Sequence, residues 1–227
     1  MAQQLGLDLP SLPALARNDF LIAPSNALAV AMIDDWRNWP GGKLALCGPA
    51  GSGKTHLTHI WASQSGATIL SAPDLPDYDI PQLAQAPVAV EDVPRIAQDP
   101  QAQTALFHLH NLTLAEGQSL LLTGAAAVPY WGLGLPDLAS RLSATNSAHL
   151  EAPDDTLLAA VLAKLFADRQ LTPPADVISY LILRIERSFA AAREVVALLD
   201  ALSLARHKPI TRALAAQVLD KAGQGTR

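Results

Sequence analysis

Hydrophobic and polar positions change rhythm twice along this chain. In the opening stretch MAQQLGLDLPSLP, Leu5, Leu7 and Leu9 alternate with Gly6 and Asp8, and Pro10 and Pro13 follow. That is too short for a helix and too apolar for an ordinary leader, so it reads either as an edge strand or as a hook for another protein. From residue 20 the spacing becomes helical. Leu28, Met32, Ile33 and Trp36 recur on one face, Ser25 or Asn26 is placed to cap the helix, and WPGG stops it. Four short apolar runs then follow: KLALCG (43–48), ATILS (67–71), PVAVEDV (87–93) and SLLLTG (119–124). Helical segments over 54–64 and 100–116 separate them, and the Pro-rich stretch 72–87 reads as loop with room for one short turn. Strands alternating with helices predict an α/β domain with a parallel sheet flanked by helices and right-handed crossovers.

After residue 153 the strand rhythm ends. DDTLLAAVLAKLFADR, PADVISYLILRI, AAAREVVALLDALSLARH and TRALAAQVLDKA all read as helices. Asp154 and Thr211 stand where caps belong, and Pro173, Pro174 and Pro209 mark the breaks. The expected organisation is a tail (1–19), an α/β domain (20–153) and a small all-helical domain (154–227).

Composition narrows the picture. Of 227 residues, 50% are hydrophobic and 16% charged, enough for a sizeable core. The net charge of -5 argues against an extended nonspecific nucleic-acid surface, though not against a local basic patch. Cys47 is the single cysteine, so no intramolecular disulfide can form, which fits a reducing compartment. There is no secretory pattern and no apolar run of bilayer length. The expectation is a cytoplasmic protein without a membrane association.

The sharpest chemistry lies in GPAGSGKT (48–55), between an apolar run and a helix. Gly48, Gly51, Ser52 and Gly53 let the backbone wrap a polyphosphate with its amides inward, and the next helix aims its positive end at the same charge. In such a P-loop Lys54 reaches the β- and γ-phosphates and Thr55 ligates magnesium, with His56 the next residue along. The expected ligands are ADP or ATP with Mg2+. The third apolar run ends in Glu91 and Asp92. One can hold magnesium with Thr55, for which Glu91 is the candidate, while the other orients or deprotonates the attacking water. Thr123, ending the fourth run, is either a γ-phosphate sensor or a plain strand terminus. His56 with His59, and His108 with His110, lack the further ligands of a zinc site, and Ser140 has no histidine–acid arrangement beside it.

Several segments resemble the DnaA/Hda family of AAA+ ATPases: LPDLASRL (135–142), its arginine-finger segment; FLIAPSNALAVA (20–31), the segment along adenine; and AAREVVALLD (191–200), the sensor-2 helix. The likeness covers essentially the whole chain, with no counterpart of the initiator's N-terminal interaction domain or C-terminal DNA-binding domain. It implies a P-loop AAA+ domain with a helical lid. Arg141 falls at the finger, which would enter a neighbouring subunit's nucleotide site, and Arg193 falls at sensor 2. Phe20, Leu21 and Ile22 fall at the adenine contacts. Read from the residues alone, the alternatives are a structural arginine at a helix end for Arg141, a solvated helix residue for Arg193, and core for 20–22. The opening Gln4-Leu5-Gly6-Leu7-Asp8-Leu9 resembles the clamp-binding hexapeptide of the family's small regulatory members, with Gln4, Leu5, Leu7 and Leu9 as its contacts.

Two departures stand out. The family usually places two aspartates where this chain has Glu91-Asp92, and its initiators carry a polar or acidic residue where this chain has Ala125. Both point to weak hydrolysis by this chain itself, and neither touches Arg141. The resemblance therefore implies a regulator that acts in trans on the replication initiator DnaA, stimulating hydrolysis of its ATP. The DNA-loaded sliding clamp is the second partner, DNA is met only through it, and self-association is left open. The alternatives are an independent ATPase, such as a helicase loader of the DnaC kind, or a catalytically silent nucleotide-binding adaptor.

Overall fold

The computed structural model describes residues 20–206 and 208–224, so the candidate clamp contacts Gln4, Leu5, Leu7 and Leu9 lie outside the described residues. Its centre is a five-stranded sheet in the order β2-β3-β4-β1-β5, parallel throughout. The strands are β1 (Lys43–Cys47), β2 (Thr68–Ser71), β3 (Val88–Glu91), β4 (Leu120–Gly124) and β5 (Ser147–His149). Four are the apolar runs read from sequence. β1, β3 and β4 are buried on both faces and have no polar side to alternate with, so each reads as a continuous run, whereas β2, at the sheet edge, buries only Leu70.

Helices cover both faces. On one, α1 (Ala27–Asp34) and α2 (Lys54–Ser65) bury Val30, Ile33, Leu57, Ile60 and Trp61 against Leu44, Leu46, Ala89 and Leu121. On the other, α4 (Pro100–Ala115) and α5 (Pro136–Ser143) bury Leu106, Leu109, Leu138 and Leu142 against Ala45, Val88, Val90, Leu120 and Leu122. A third core lies within α6 (Asp155–Asp168), α7 (Ala175–Ile182), α8 (Phe189–Arg206) and α9 (Arg212–Gln224), around Leu158, Leu162, Phe166, Val196 and Leu199. Asp154 caps α6 by accepting from the Leu157 N–H at 2.7 Å, and Thr211 caps α9 through the Leu214 N–H at 3.3 Å. No helix among the described residues is long and apolar enough to cross a membrane.

Local structure departs from the sequence pattern in four places. The first helix ends at Asp34, and Leu28 is 72% exposed while Ala29, Val30 and Ile33 are buried. Asn26 does not cap it. Its side chain turns back, accepting from the Ala23 N–H and donating to the Leu21 carbonyl, both at 2.9 Å. The stretch 72–87 holds a 3-10 helix, Ala72–Asp77, and a four-residue α3, Ile80–Leu83. The third strand stops at Glu91, because Asp92 takes a left-handed conformation with φ of 57° and starts a 3-10 turn.

Candidate functional site

β1 delivers the chain into the loop 48–53, and α2 leads away from it. Two glycines are steric requirements. A Cβ on Gly48 would stand 2.5 Å from the Leu150 carbonyl oxygen and 2.8 Å from the Ser52 Oγ. Gly53 holds φ of 99°, which an L side chain rarely adopts, and is flanked by the rings of Phe20 and Phe189. The loop thus leads straight into the N-terminus of α2, the end of a helix that favours a polyphosphate.

Lys54 turns back over this loop, donating to the carbonyls of Gly48 at 2.7 Å and Pro49 at 2.9 Å. Burial pushes its ammonium below the usual lysine range, while Asp92, Cys47 and Glu91 pull the other way. The acids therefore lie within electrostatic reach of the lysine. Two buried oxygens here, Ser52 Oγ and Glu91 Oε1, have no hydrogen-bond partner. Buried polar atoms without partners are costly: Glu91 Oε1 is an acceptor that a hydrated cation satisfies, and the Ser52 hydroxyl can donate to a phosphate. With Thr55 exposed on the first turn of α2, the donor set fits a magnesium nucleotide.

Thr123 is buried at the end of β4, and its Oγ1 accepts from the Asp92 N–H at 3.0 Å. It thereby braces the left-handed residue that ends the acidic strand. Ala125 is exposed beyond it. Trp131 closes the loop that follows, its indole N–H donating to the Ala126 carbonyl at 2.7 Å. On the other side, Phe20 is buried and meets the His56 ring edge-on at 5.2 Å. Leu21 is half-buried and Ile22 is 56% exposed, so of the three candidate adenine residues Phe20 is the one seen packed against the start of α2.

The helical lid also touches the cradle. The Phe189 N–H, at the start of α8, donates to the Gly51 carbonyl at 2.8 Å, and Ser188 walls the space where a Gly51 Cβ would sit. Arg193 follows one turn later on α8 and is exposed. Neither Ser188 nor Phe189 carries a sequence signal for this contact, since the lid closes on the loop only in three dimensions.

Arg141 lies elsewhere. It is exposed near the C-terminus of α5, with its guanidinium 5.4 Å from the Phe107 ring centroid. Its carbonyl accepts from the Lys43 ammonium at 2.8 Å. Lys43 opens β1, whereas the cradle follows its last residue, Cys47. The five residues of β1 separate the two by about 13 Å at roughly 3.3 Å per step. The structure thus brings 48–56, 91–92, 123 and 188–189 to one end of the sheet, with Phe20 against His56 and Gly53, and places Arg141 at the other.

A scan against models of known protein families matches none. Solved structures give clear neighbours. Domain III of the replication initiation protein DnaA from Thermotoga maritima superposes with a TM-score of 0.79 at 18% identity, over 92% of this chain and 97% of that one. DnaA from Aquifex aeolicus bound to AMPPCP gives 0.73 at 17% identity, over 84% of this chain and 66% of that one. A replication initiator DnaA bound to AMPPCP and single-stranded DNA gives 0.71 at 18% identity, over 82% and 65%. The chain thus spans nearly all of one DnaA domain and about two thirds of the longer DnaA chains. At these identities the likeness is one of fold, and the fold is that of a P-loop AAA+ domain, a parallel sheet flanked by helices with an all-helical lid.

Proposed function

We propose that this chain is a nucleotide-holding AAA+ regulator that donates Arg141 to ATP bound by another AAA+ subunit, the replication initiator DnaA. The observation that carries the reading is the position of Arg141: it is exposed at the opposite end of the sheet from the chain's own cradle, which supports service to a neighbour rather than to itself. An arginine delivered this way stabilises charge on the transferring phosphoryl group, an effect worth about 10³–10⁵ in rate in related ATPases and GTPases. Its contact with Phe107 is exposed and worth about 0.5–1 kcal/mol, too little to hold it back.

The chain's own nucleotide, ADP or ATP with Mg2+, is read as a structural ligand. When bound, the magnesium nucleotide supplies the charge that the loop amides around Gly51 and Gly53, with Lys54 and Thr55, would meet. Glu91 and Asp92 sit where they can orient water, but Glu91 is one methylene longer than the aspartate usual there, which unsettles a site demanding tight octahedral geometry. Ala125 adds no hydrogen bond. Phe20, Leu21 and Ile22 line the base side, Thr123 braces the acids, and Arg193 approaches from the lid. The chain therefore turns over its own ATP slowly. Gln4, Leu5, Leu7 and Leu9 hold the DNA-loaded sliding clamp, raising the local concentration of Arg141 near the initiator.

The test is reconstitution of initiator, loaded clamp and this chain. Arg141→Ala keeps nucleotide binding and abolishes stimulated hydrolysis of initiator-bound ATP; full stimulation by that variant sinks the reading. Gln4→Ala with Leu5→Ala removes clamp binding and leaves nucleotide affinity intact.

A further inference from the structure

The helix that carries Arg141 is gripped at both ends by a single neighbouring helix. On α4, Gln103, Phe107 and His110 share one face at i, i+4 and i+7. Gln103 is buried, and its Oε1 accepts from the N–H of Leu135, the N-cap residue of α5, at 2.8 Å. Its Nε2 donates to the carbonyls of Ile96 and Ala97 at 2.9 and 3.0 Å, so the same amide ties α5 to the turn that follows Asp92. Phe107 lies under the Arg141 guanidinium. His110, only 2% exposed, meets the Lys43 ammonium at 3.0 Å through Nε2 and Asn111 Oδ1 at 3.2 Å through Nδ1. Lys43 can only donate, so Nε2 must accept, and the ring proton sits on Nδ1 facing the amide oxygen. Lys43 in turn donates to the Arg141 carbonyl, which also accepts from Thr145 Oγ1 at 3.4 Å.

This arrangement holds together only while His110 is neutral. Among the described residues the charged groups acting on it are two cations, Lys43 from β1 and Arg141 from α5. Burial foremost, and those two cations, keep its protonation below the usual histidine range, with Asn111 opposing.

We propose that His110 and Lys43 are positioning residues that fix the Arg141 end of α5, with Gln103 fixing the other end. The purpose rests on the trans-acting reading of Arg141 above. The pinning itself does not, so each has its own measurement.

Three full-length variants test it in the reconstituted reaction. His110→Phe keeps volume and removes the acceptor. His110→Gln offers an oxygen near the place of Nε2. Lys43→Met removes the donor from the half-exposed side, should His110→Phe fail to fold. Removing either partner lowers the maximal stimulated rate at saturating chain by about tenfold or more, since an ångström of misplacement costs up to about a hundredfold. Nucleotide affinity is unchanged, and His110→Gln recovers most of the rate. Stimulation by the native chain also declines as pH falls through the ionisation of His110, a limb absent from His110→Gln. In the free chain, amide exchange over 138–144 accelerates in His110→Phe and Lys43→Met and returns to native in His110→Gln. Unaltered exchange overturns the pinning. Accelerated exchange with an unaltered maximal rate, or a loss that His110→Gln does not recover, overturns the positioning role. If Arg141→Ala itself keeps full stimulation, the trans reading falls, and exchange still decides whether α5 is pinned.

Discussion

At the scale of single residues, charges at the two ends of β1 are held by opposite logic. Lys54 is half-buried over two carbonyls, those of Gly48 and Pro49, that it must abandon when phosphates arrive. A hydrogen bond to a charged group contributes about 1.5–3 kcal/mol, so Lys54→Ala weakens nucleotide binding by roughly 10- to 100-fold in a fluorescent-nucleotide titration. Arg141→Ala leaves that titration unchanged. His110 gives a pH signature in stability. Its folded ionisation is depressed below the ordinary histidine value of 6.5, so the unfolded chain takes up a proton first as the medium acidifies. Its contribution is present above about pH 6.5 and is lost as pH falls toward the folded value. Denaturant midpoints measured from pH 7.5 to 5 therefore drop further for the native chain than for His110→Gln.

Elements show where sequence is legible and where it is not. β1, β3 and β4 are readable because burial on both faces demands unbroken apolar runs. β5 is not, because Ser147-Ala148-His149 has no such run and becomes a strand only by pairing with Ala45–Cys47. Leu28 fits helical spacing yet faces out, because α1 turns Ala29, Val30 and Ile33 into the core instead. The caps Asp154 and Thr211 are legible because they act within one turn. Asp154→Ala removes the bond to the Leu157 N–H and destabilises the lid by about 1 kcal/mol, measured by thermal melting. Gly51→Ala is a sharper probe. With φ of 71° and a new Cβ 2.6 Å from that of Ser188, it must displace the start of α8. It therefore weakens nucleotide binding even though it removes no phosphate donor.

Across the whole molecule, the lid packs around its own core and meets the cradle through Phe189 and Gly51. Phe166 is fully buried in that core. Phe166→Ala costs about 3–5 kcal/mol, and the loss concentrates in the lid. Amide exchange should quicken across α6–α9 while β1, β3 and β4 stay protected, with nucleotide affinity falling in step. A cradle written in eight consecutive residues could be read from sequence, as could an acidic strand end. The Gln103 bridge, the Lys43–His110 pair and the Ser188–Phe189 contact could not, because each joins elements distant in the chain and gains its meaning from proximity alone.

The separation of Arg141 from the cradle makes the molecule directional. On the role proposed for Arg141, one end offers a cation and the other receives one, so a contact between like subunits that uses these surfaces runs head to tail and has no two-fold partner. Such contacts propagate in one direction and do not close at two copies. A chain of this kind joining a row of related ATPases can present Arg141 only to the subunit whose cradle faces it. Its own cradle then points outward, toward whatever arginine the next arrival carries.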